Sequence, residues 1–277
     1  MINQIAGEQN LHTHTTYVDG ALTAEDMVLA AVERGCASIG FSEHSYVPFD
    51  EHYSMPPDET CKYIREVNEL KRKYGGIIEV FTGLELDYYS DWHPDEGLDY
   101  IIGTAHYIKT KVGFSAIDAS AKHQEQVVND CFDGDFYALA EAYYENINDI
   151  VDKTKADIVG HFDLVMKYND DSRLFDERHP RYASAALCAM DEILKKCRLF
   201  EVNTGAMYHY GKREPYPSVF LLKELNKRGG EVILSSDSHD AVSICHAFHE
   251  MRELLKTCGF KYLKRLTKDG FVDDKLR

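Results

Sequence analysis

The chain has 277 residues, 44% of them apolar and 28% charged, an ordinary globular balance that excludes a disordered or fibrous protein. Lys and Arg total 31 against 47 Asp and Glu, a formal charge of −16, which leaves no basic footprint for duplex nucleic acid. An enzyme this acidic that takes an anionic substrate needs local positive charge, and bound metal ions supply it.

Short apolar runs alternate with amphipathic segments along the whole chain, the pattern of βα units around a largely parallel sheet. A strand is expected at 10–12. A helix follows from Thr23, with Asp26 as a weak capping partner and Gly35 as its stop. Strand 37–41 leads into a loop over 45–57 with three prolines, then a helix over 58–74 ended by Gly75-Gly76. Strands at 78–83 and 100–104 precede a connection over 108–133 with no convincing core strand. Long loops of this kind serve as lids or binding loops. Helix 136–154, strand 157–160, helix 181–197, strand 199–203, helix 218–228, strand 232–235, helix 241–258 and a weaker strand at 262–266 complete the order.

No repeat or linker divides the chain, so a single domain over 1–277 is expected. No run approaches the roughly 18 apolar residues of a membrane span, and residues 1–9 lack the basic start and apolar core of a signal peptide. Cys36, Cys61, Cys131, Cys188, Cys197, Cys245 and Cys258 are scattered, odd in number and without a CxxC pair. They read as reduced thiols, mostly small core residues, and a cytoplasmic location is expected.

The strands are apolar, but their carboxyl ends are not. Successive strands lead into His12-Thr13-His14 with Asp19, Ser42-Glu43-His44, Glu85 with Asp87, His106, His161 with Asp163, Asn203, and Asp237-Ser238-His239. In a parallel barrel those ends share one face, where barrel active sites lie. One mouth then gathers six histidines and several carboxylates, a donor set suited to Zn, Mn or Fe. A lone strand-end His is more often hydrogen-bonded than ligating, and His-x-His alone is weak. The repetition in phase argues for metal. Without it the carboxylates would repel one another and the histidines would compete for protons. Glu43 and Asp163 are read as partners that orient His44 and His161 rather than as ligands.

The remaining histidines take the bland reading. His246 and His249 lie three apart on an expected helix and read as surface or boundary residues. His52, His93, His123 and His179 sit in expected polar loops and should face solvent. Tyr137, Tyr143 and Tyr144 read as packing.

Taken together, Asn10-Leu11-His12-Thr13-His14, Ser42-Glu43-His44-Ser45, Gly83-Leu84-Glu85-Leu86-Asp87, Gly103-Thr104-Ala105-His106, Gly160-His161-Phe162-Asp163 and Ser236-Asp237-Ser238-His239 resemble the polymerase and histidinol phosphatase (PHP) superfamily over nearly the whole chain. The resemblance implies an α/β fold, a distorted TIM-like barrel of seven βα units with a trinuclear metal site at the strand ends. It assigns His12, His14, Glu85 and Asp237 to a first ion. Glu85 bridges to a second, shared with His106 and His161, and Asp19, His44 and His239 hold a third. Metal identity stays open among Zn, Mn and Fe. Glu85, His44 and Asp237 are the residues expected to carry catalysis.

Within the superfamily the chain looks most like stand-alone histidinol-phosphate phosphatases, on residues 113–118, 201–205 and 214–217. The implied reaction is hydrolysis of a small phosphate ester, L-histidinol phosphate, by in-line attack of hydroxide that the metals generate near neutral pH. Two departures stand out. Asn10 replaces a frequent Asp, and Met166 and Tyr208 stand where the family carries arginines. Lys167, His209, Lys212 and Arg213 are the nearby substitutes, with Arg213 the candidate for a two-pronged phosphate contact. Its bland alternative is a solvated arginine. Rival readings are a phosphatase for phosphotyrosine protein, nucleotide or sugar phosphate, a nucleic-acid proofreading module, and a metal-binding protein without catalysis. The charge argues against the nucleic-acid module, and the full set of candidate ligands argues against a silent metal binder.

Overall fold

The computed structural model describes residues 7–91 and 97–276. The chain runs β1 (Gln9–Asn10), α1 (Ala24–Glu33), β2 (Ser38–Phe41), α2 (Pro57–Tyr74), β3 (Glu79–Asp87), β4 (Tyr100–Thr104), β5 (Tyr107–Thr110) and β6 (Gly113–Ala116). Then come α3 (Ala121–Phe132), α4 (Phe136–Ile147), α5 (Ile150–Thr154), β7 (Ile158–Val159), α6 (Pro180–Leu194), β8 (Leu199–Asn203) and α7 (Gly205–Tyr210). The last elements are α8 (Val219–Lys227), β9 (Glu231–Ser235), α9 (Phe248–Cys258), β10 (Tyr262–Thr267) and β11 (Gly270–Lys275).

Seven strands form one sheet in the order β1-β2-β3-β4-β7-β8-β9, every neighbouring pair parallel. Chain order and sheet order coincide, as in a barrel wound by successive βα units. The seam closes just beyond the strand ends. Thr13 bridges Ser238 in parallel, His14 N donates to Ser238 O (2.8 Å) and Ser238 N donates to His12 O (3.0 Å). Asn10 reinforces this seam. Its Oδ1 accepts from Ser236 N (2.9 Å), and its Nδ2 donates to His12 O and Thr13 Oγ1, each at 2.9 Å. An aspartate would lack those donors, so Asn10 acts in barrel closure.

Helices cover the outside and leave strands buried on both faces, hence their near-continuous apolar sequence. Inside the barrel, Tyr100 is buried and its hydroxyl donates to Phe41 O (3.0 Å) and Leu11 O. Gly40 and Gly83 make room for that ring: a Cβ on Gly83 would lie 2.2 Å from Tyr100 Cζ.

Several boundaries differ from the sequence reading. The 108–133 connection contains the β5–β6 hairpin and α3. Gly113 turns the hairpin at φ 118°, and Ser120 Oγ caps α3 by accepting from His123 N (3.0 Å). The expected 136–154 helix is two helices, α4 and α5. The expected 241–258 helix begins at Phe248, so His246 precedes it. The weak strand at 262–266 is real but lies outside the barrel, in the antiparallel β10–β11 hairpin. Gln9 ties that hairpin to the barrel, accepting from Leu266 N (2.8 Å) and donating to Leu266 O (2.9 Å). No helix among the described residues is long and apolar enough to cross a membrane.

Candidate metal centre

Each barrel strand delivers its polar residues to the same mouth. β1 leads into His12 and His14, which flank the closing bridge at Thr13. His44, just after β2, bridges in parallel to Glu85 on β3. β4, β7 and β9 lead to His106, His161 and Asp237 with His239. Asp19 arrives on a tight turn in which Gly20 N donates to Thr15 O (2.8 Å). A Cβ on Gly20 would lie 2.5 Å from His14 backbone carbon, so this turn requires glycine. Asp237 itself sits at φ 46°, a left-handed conformation uncommon for a non-glycine residue.

Glu85 is the hub, buried beneath five imidazoles. His161 Nε2 lies 2.8 Å and His106 Nε2 3.3 Å from its Oε1. His44 Nδ1 (2.6 Å), His12 Nε2 (3.4 Å) and His14 Nε2 (3.6 Å) face its Oε2. Asp237 Oδ1 is 3.1 Å from His14 Nε2 and 3.5 Å from His12 Nε2. Asp19 Oδ2 is 3.1 Å from His239 Nε2 and 3.8 Å from His44 Nε2.

Donor atoms thus converge in three groups: His12, His14 and Asp237; His14, Asp19, His44 and His239; and His44, Glu85 and His106. All nine ligand residues read from the sequence meet here. His14 faces both the first and the second group, and His161 reaches the cluster through Glu85.

The residues fit divalent ions. His12 Nε2, both ring nitrogens of His14, His161 Nδ1 and Glu85 Oε2 are buried without a hydrogen-bond partner. Buried polar atoms are ordinarily satisfied, so the orphans that face one another, His12 Nε2, His14 Nε2 and Glu85 Oε2, need a shared partner. Donors at the usual zinc–ligand distances lie ~3.4 Å apart around a tetrahedral ion, the spacing of His12 Nε2 from Glu85 Oε2 and from Asp237 Oδ1.

Electrostatics points the same way. Burial pulls the His12 and His44 imidazoles down, but the surrounding carboxylates push both well above the usual range. His14 rises to about 9 and His106 to about 10 against the same burial. Burial alone would raise Glu85, Asp237 and Asp19; the facing imidazoles instead hold all three below the usual carboxylate range. The carboxylates demand cations. Divalent ions meet that demand and leave the histidines neutral, which is their ligating form.

Three carboxylates were given no role by the sequence reading. Glu201, on β8, is buried and lies 2.5 Å from His12 Nδ1, while its other oxygen accepts from His161 N (2.8 Å). Asp87 Oδ2 accepts from His106 N (2.9 Å) and lies 3.2 Å from His106 Nδ1. Asp118 faces Lys167 at 3.1 Å. Burial would raise its carboxyl, but Lys167, then His106, pull it below the usual range.

Two orienting partners need correction. Glu43 lies against His14 (Oε2 to Nδ1, 3.7 Å) and accepts from Thr15 Oγ1 (2.5 Å), rather than serving His44. Asp163 accepts from Ser218 N (2.9 Å), and His161 Nδ1 has no hydrogen-bond partner.

Above the cluster lies a cavity of ≈ 540 Å³, walled by Asp50, Tyr107, Asp118, Lys167, His209 and Tyr210. The structure brings Lys167 and His209 to it, but not Lys212 or Arg213. Arg213 is 78% exposed and pairs with Asp171 (2.8 Å), because its loop turns the guanidinium outward. Lys212 is buried against Met166 O and Asp170 Oδ1, each at 3.1 Å.

Of the histidines read as bystanders, His52 and His249 are exposed and His246 packs its ring against Tyr208. His123 is half-buried on α3. His179 is also half-buried, stacked on Tyr137 and accepting from Arg181 N at the start of α6. His93 lies outside the described residues. Tyr143 and Tyr144 are buried packing residues.

Fold and site together define a parallel barrel whose mouth gathers a histidine and carboxylate cluster suited to divalent metal ions. The PHP domain pattern matches residues 10–205, and the chain belongs to that family. The chain is 25% identical to a "Probable histidinol-phosphatase" of Schizosaccharomyces pombe, over 88% of this chain and 84% of the relative. A Listeria monocytogenes structure with a provisional histidinol phosphatase name superposes with a TM-score of 0.76 at 21% identity, over 88% of this chain and 99% of that one. A Lactococcus lactis histidinol phosphate phosphatase, solved with zinc, L-histidinol and phosphate, gives a TM-score of 0.66 at 20% identity, over 96% and 99% of the two chains.

Proposed function

We propose that this chain is a metal-dependent phosphatase that hydrolyses L-histidinol phosphate to L-histidinol and phosphate. The observation that carries the reading is Glu85 buried under five imidazoles at the floor of an open cavity. The histidinol-phosphatase name of the yeast relative, and the zinc, histidinol and phosphate bound by the Lactococcus protein, support the substrate.

In this reading His12, His14, Glu85 and Asp237 hold one ion. Glu85, His106 and His161 hold a second, and Asp19, His44 and His239 a third. When bound, such ions supply an activated water and neutralise charge on the phosphoryl oxygens. The protein's own residues do the rest. Glu201 fixes the His12 ring through Nδ1, and Asp87 fixes His106. Lys167 is the only lysine or arginine among the described residues lining the cavity, and its ammonium meets the phosphate. His209, whose imidazole burial and His239 hold below its usual pKa, stands neutral at the rim. It offers a hydrogen bond without a second charge.

The test is phosphate release by metal-replete protein from L-histidinol phosphate, phosphotyrosine peptide, nucleoside monophosphates and sugar phosphates. L-Histidinol phosphate is expected to give the highest kcat/KM. A tenfold or greater advantage for any other ester replaces the substrate.

A further inference from the structure

The metal centre accounts for the phosphate end of a ligand, and the cavity walls carry more charge than that end requires. Asp50, Asp87 and Asp118 are the lining carboxylates outside the candidate ligand set. Asp50 is fully engaged: Oδ1 accepts from His52 N and Tyr53 N, and Oδ2 from Tyr107 OH (2.7 Å). Asp87 is engaged too, with Oδ1 accepting from Tyr89 N and Oδ2 holding His106. Asp118 differs. Its Oδ2 takes Lys167 Nζ at 3.1 Å, and its Oδ1 has no hydrogen bond among the described residues.

The pair is held in place from both sides. Asp118 follows the β5–β6 hairpin, and Lys167 follows the 3-10 turn Leu164–Met166 after β7. The buried side-chain amide of Gln124 on α3 donates to Ile117 O (3.0 Å) and Val165 O (3.1 Å), pinning the two segments together. Tyr168 OH donates to Asp118 O (2.5 Å). Ile117 N donates to His106 O (2.9 Å), which fixes Asp118 beside the metal ligands. Lys167 Nζ also lies over the Tyr210 ring, 4.8 Å from its centre. Ordering two loops around one ion pair is a costly arrangement for a surface contact, since exposed pairs contribute little stability.

We propose that Asp118 is the amine-recognising residue of the site: the Asp118–Lys167 pair opens around a phosphate ester that carries an ammonium group, Asp118 taking the ammonium and Lys167 the phosphate. This rests on the phosphatase reading and names what that phosphatase selects. One internal ion pair is exchanged for two intermolecular ones, so no charge is left unpartnered in the cavity. An ester without the amine forces a choice: Lys167 leaves Asp118 uncompensated, or stays and gives the phosphate nothing. Selectivity then comes from a penalty on the wrong ligand as well as a gain on the right one.

The experiment compares kcat/KM within two ester pairs: L-histidinol phosphate against its deaminated analogue, and 2-aminoethyl phosphate against ethyl phosphate. Wild type should favour the amine in each pair by ~10-fold or more, the order of a hydrogen bond to a charged group. Asp118→Asn should bring both ratios near parity, and Asp118→Glu should keep part of the preference. Calorimetric binding of L-histidinol against its deaminated analogue gives the same comparison without turnover, and decides the matter if an ester is not hydrolysed. Ratios that survive Asp118→Asn overturn the assignment. So does wild-type protein indifferent to the amine, a result that needs no variant to fold. If the amine preference is present and depends on Asp118 while L-histidinol phosphate is a poor substrate, the amine site stands and the histidinol reading falls. If L-histidinol phosphate is the best ester and its amine is immaterial, the reverse holds.

Discussion

Glu201 Oε1 lies 2.5 Å from His12 Nδ1, with both side chains buried. The contact commits one ring nitrogen of His12 and points the other, Nε2, at Glu85 and Asp237. The second oxygen of Glu201 accepts from His161 N and Asn203 Nδ2, so one carboxylate sets two of the histidines. Glu201→Gln keeps the volume and removes the charge. Its metal affinity should fall by ~10- to 100-fold, as for other carboxylates behind a ligating histidine, read by competition with a chromophoric chelator. Unchanged affinity would mean that the barrel alone orients His12.

Glu85 touches more of the cluster than any other carboxylate, so its loss should act on several ions at once. Glu85→Ala is expected to lower kcat by roughly three orders of magnitude or more, in keeping with loss of a metal-activated water. Metal content, measured by elemental analysis, should fall by at least one equivalent per chain. A variant that keeps its full metal complement and more than a tenth of the activity would remove Glu85 from the bridging role.

How legible the sequence is depends on what a signal consists of. β4 and β8 have the boundaries read from sequence, because each is an apolar run between polar turns. That the nine candidate ligand residues gather at one mouth is legible because their types are wrong for a core and recur at strand ends. Glu201 was not, because it sits inside the apolar run of β8; a glutamate at a fully buried strand position was the available signal. α3 was missed although Ser120 and the pair Val127-Val128 mark its cap and buried face, because its remaining residues are mostly polar. Arg213 shows the opposite failure. It lies on the loop between α7 and α8, but its guanidinium is exposed beside Asp171 and outside the cavity, and the sequence carries no signal for which way a loop side chain turns.

Gly83 and Tyr100 test the barrel interior rather than its mouth. A methyl group on Gly83 would lie 2.2 Å from Tyr100 Cζ, and the ring is fixed by its bonds to Leu11 O and Phe41 O. Gly83→Ala should lower unfolding stability by about 1–3 kcal/mol, the usual cost of overpacking a filled core. Tyr100→Phe relieves no crowding and strands a hydrogen-bonding carbonyl, so it should cost about 1–3 kcal/mol by a different route. Urea denaturation of the metal-loaded proteins reads both, and a Gly83→Ala variant as stable as wild type would mean that the ring moves freely.

Lys167 and Arg213 give opposite expectations for two neighbouring cations. Lys167 is largely buried in the cavity wall, and Asp118, beside it, holds its ammonium charged against the pull of burial. Arg213 is exposed and paired with an equally exposed Asp171, an ion pair that solvent screens. Lys167→Ala should lower kcat/KM on L-histidinol phosphate by ~10- to 100-fold, the effect of losing one charged phosphate contact, or about 1.4–2.7 kcal/mol of transition-state stabilisation. Lys167→Arg keeps the charge but brings a wider head group between Tyr210 and Asp118, and should recover only part of that loss. Arg213→Ala should leave kcat/KM within about twofold, since a screened surface pair contributes little. His246→Ala and His249→Ala should likewise leave metal content unchanged, because neither ring joins a donor group. Steady-state kinetics on the three cation variants, with metal content measured in each, decide between the two residues. If Arg213→Ala proves the damaging change and Lys167→Ala the silent one, the phosphate is held from the outer loop and not from the cavity wall.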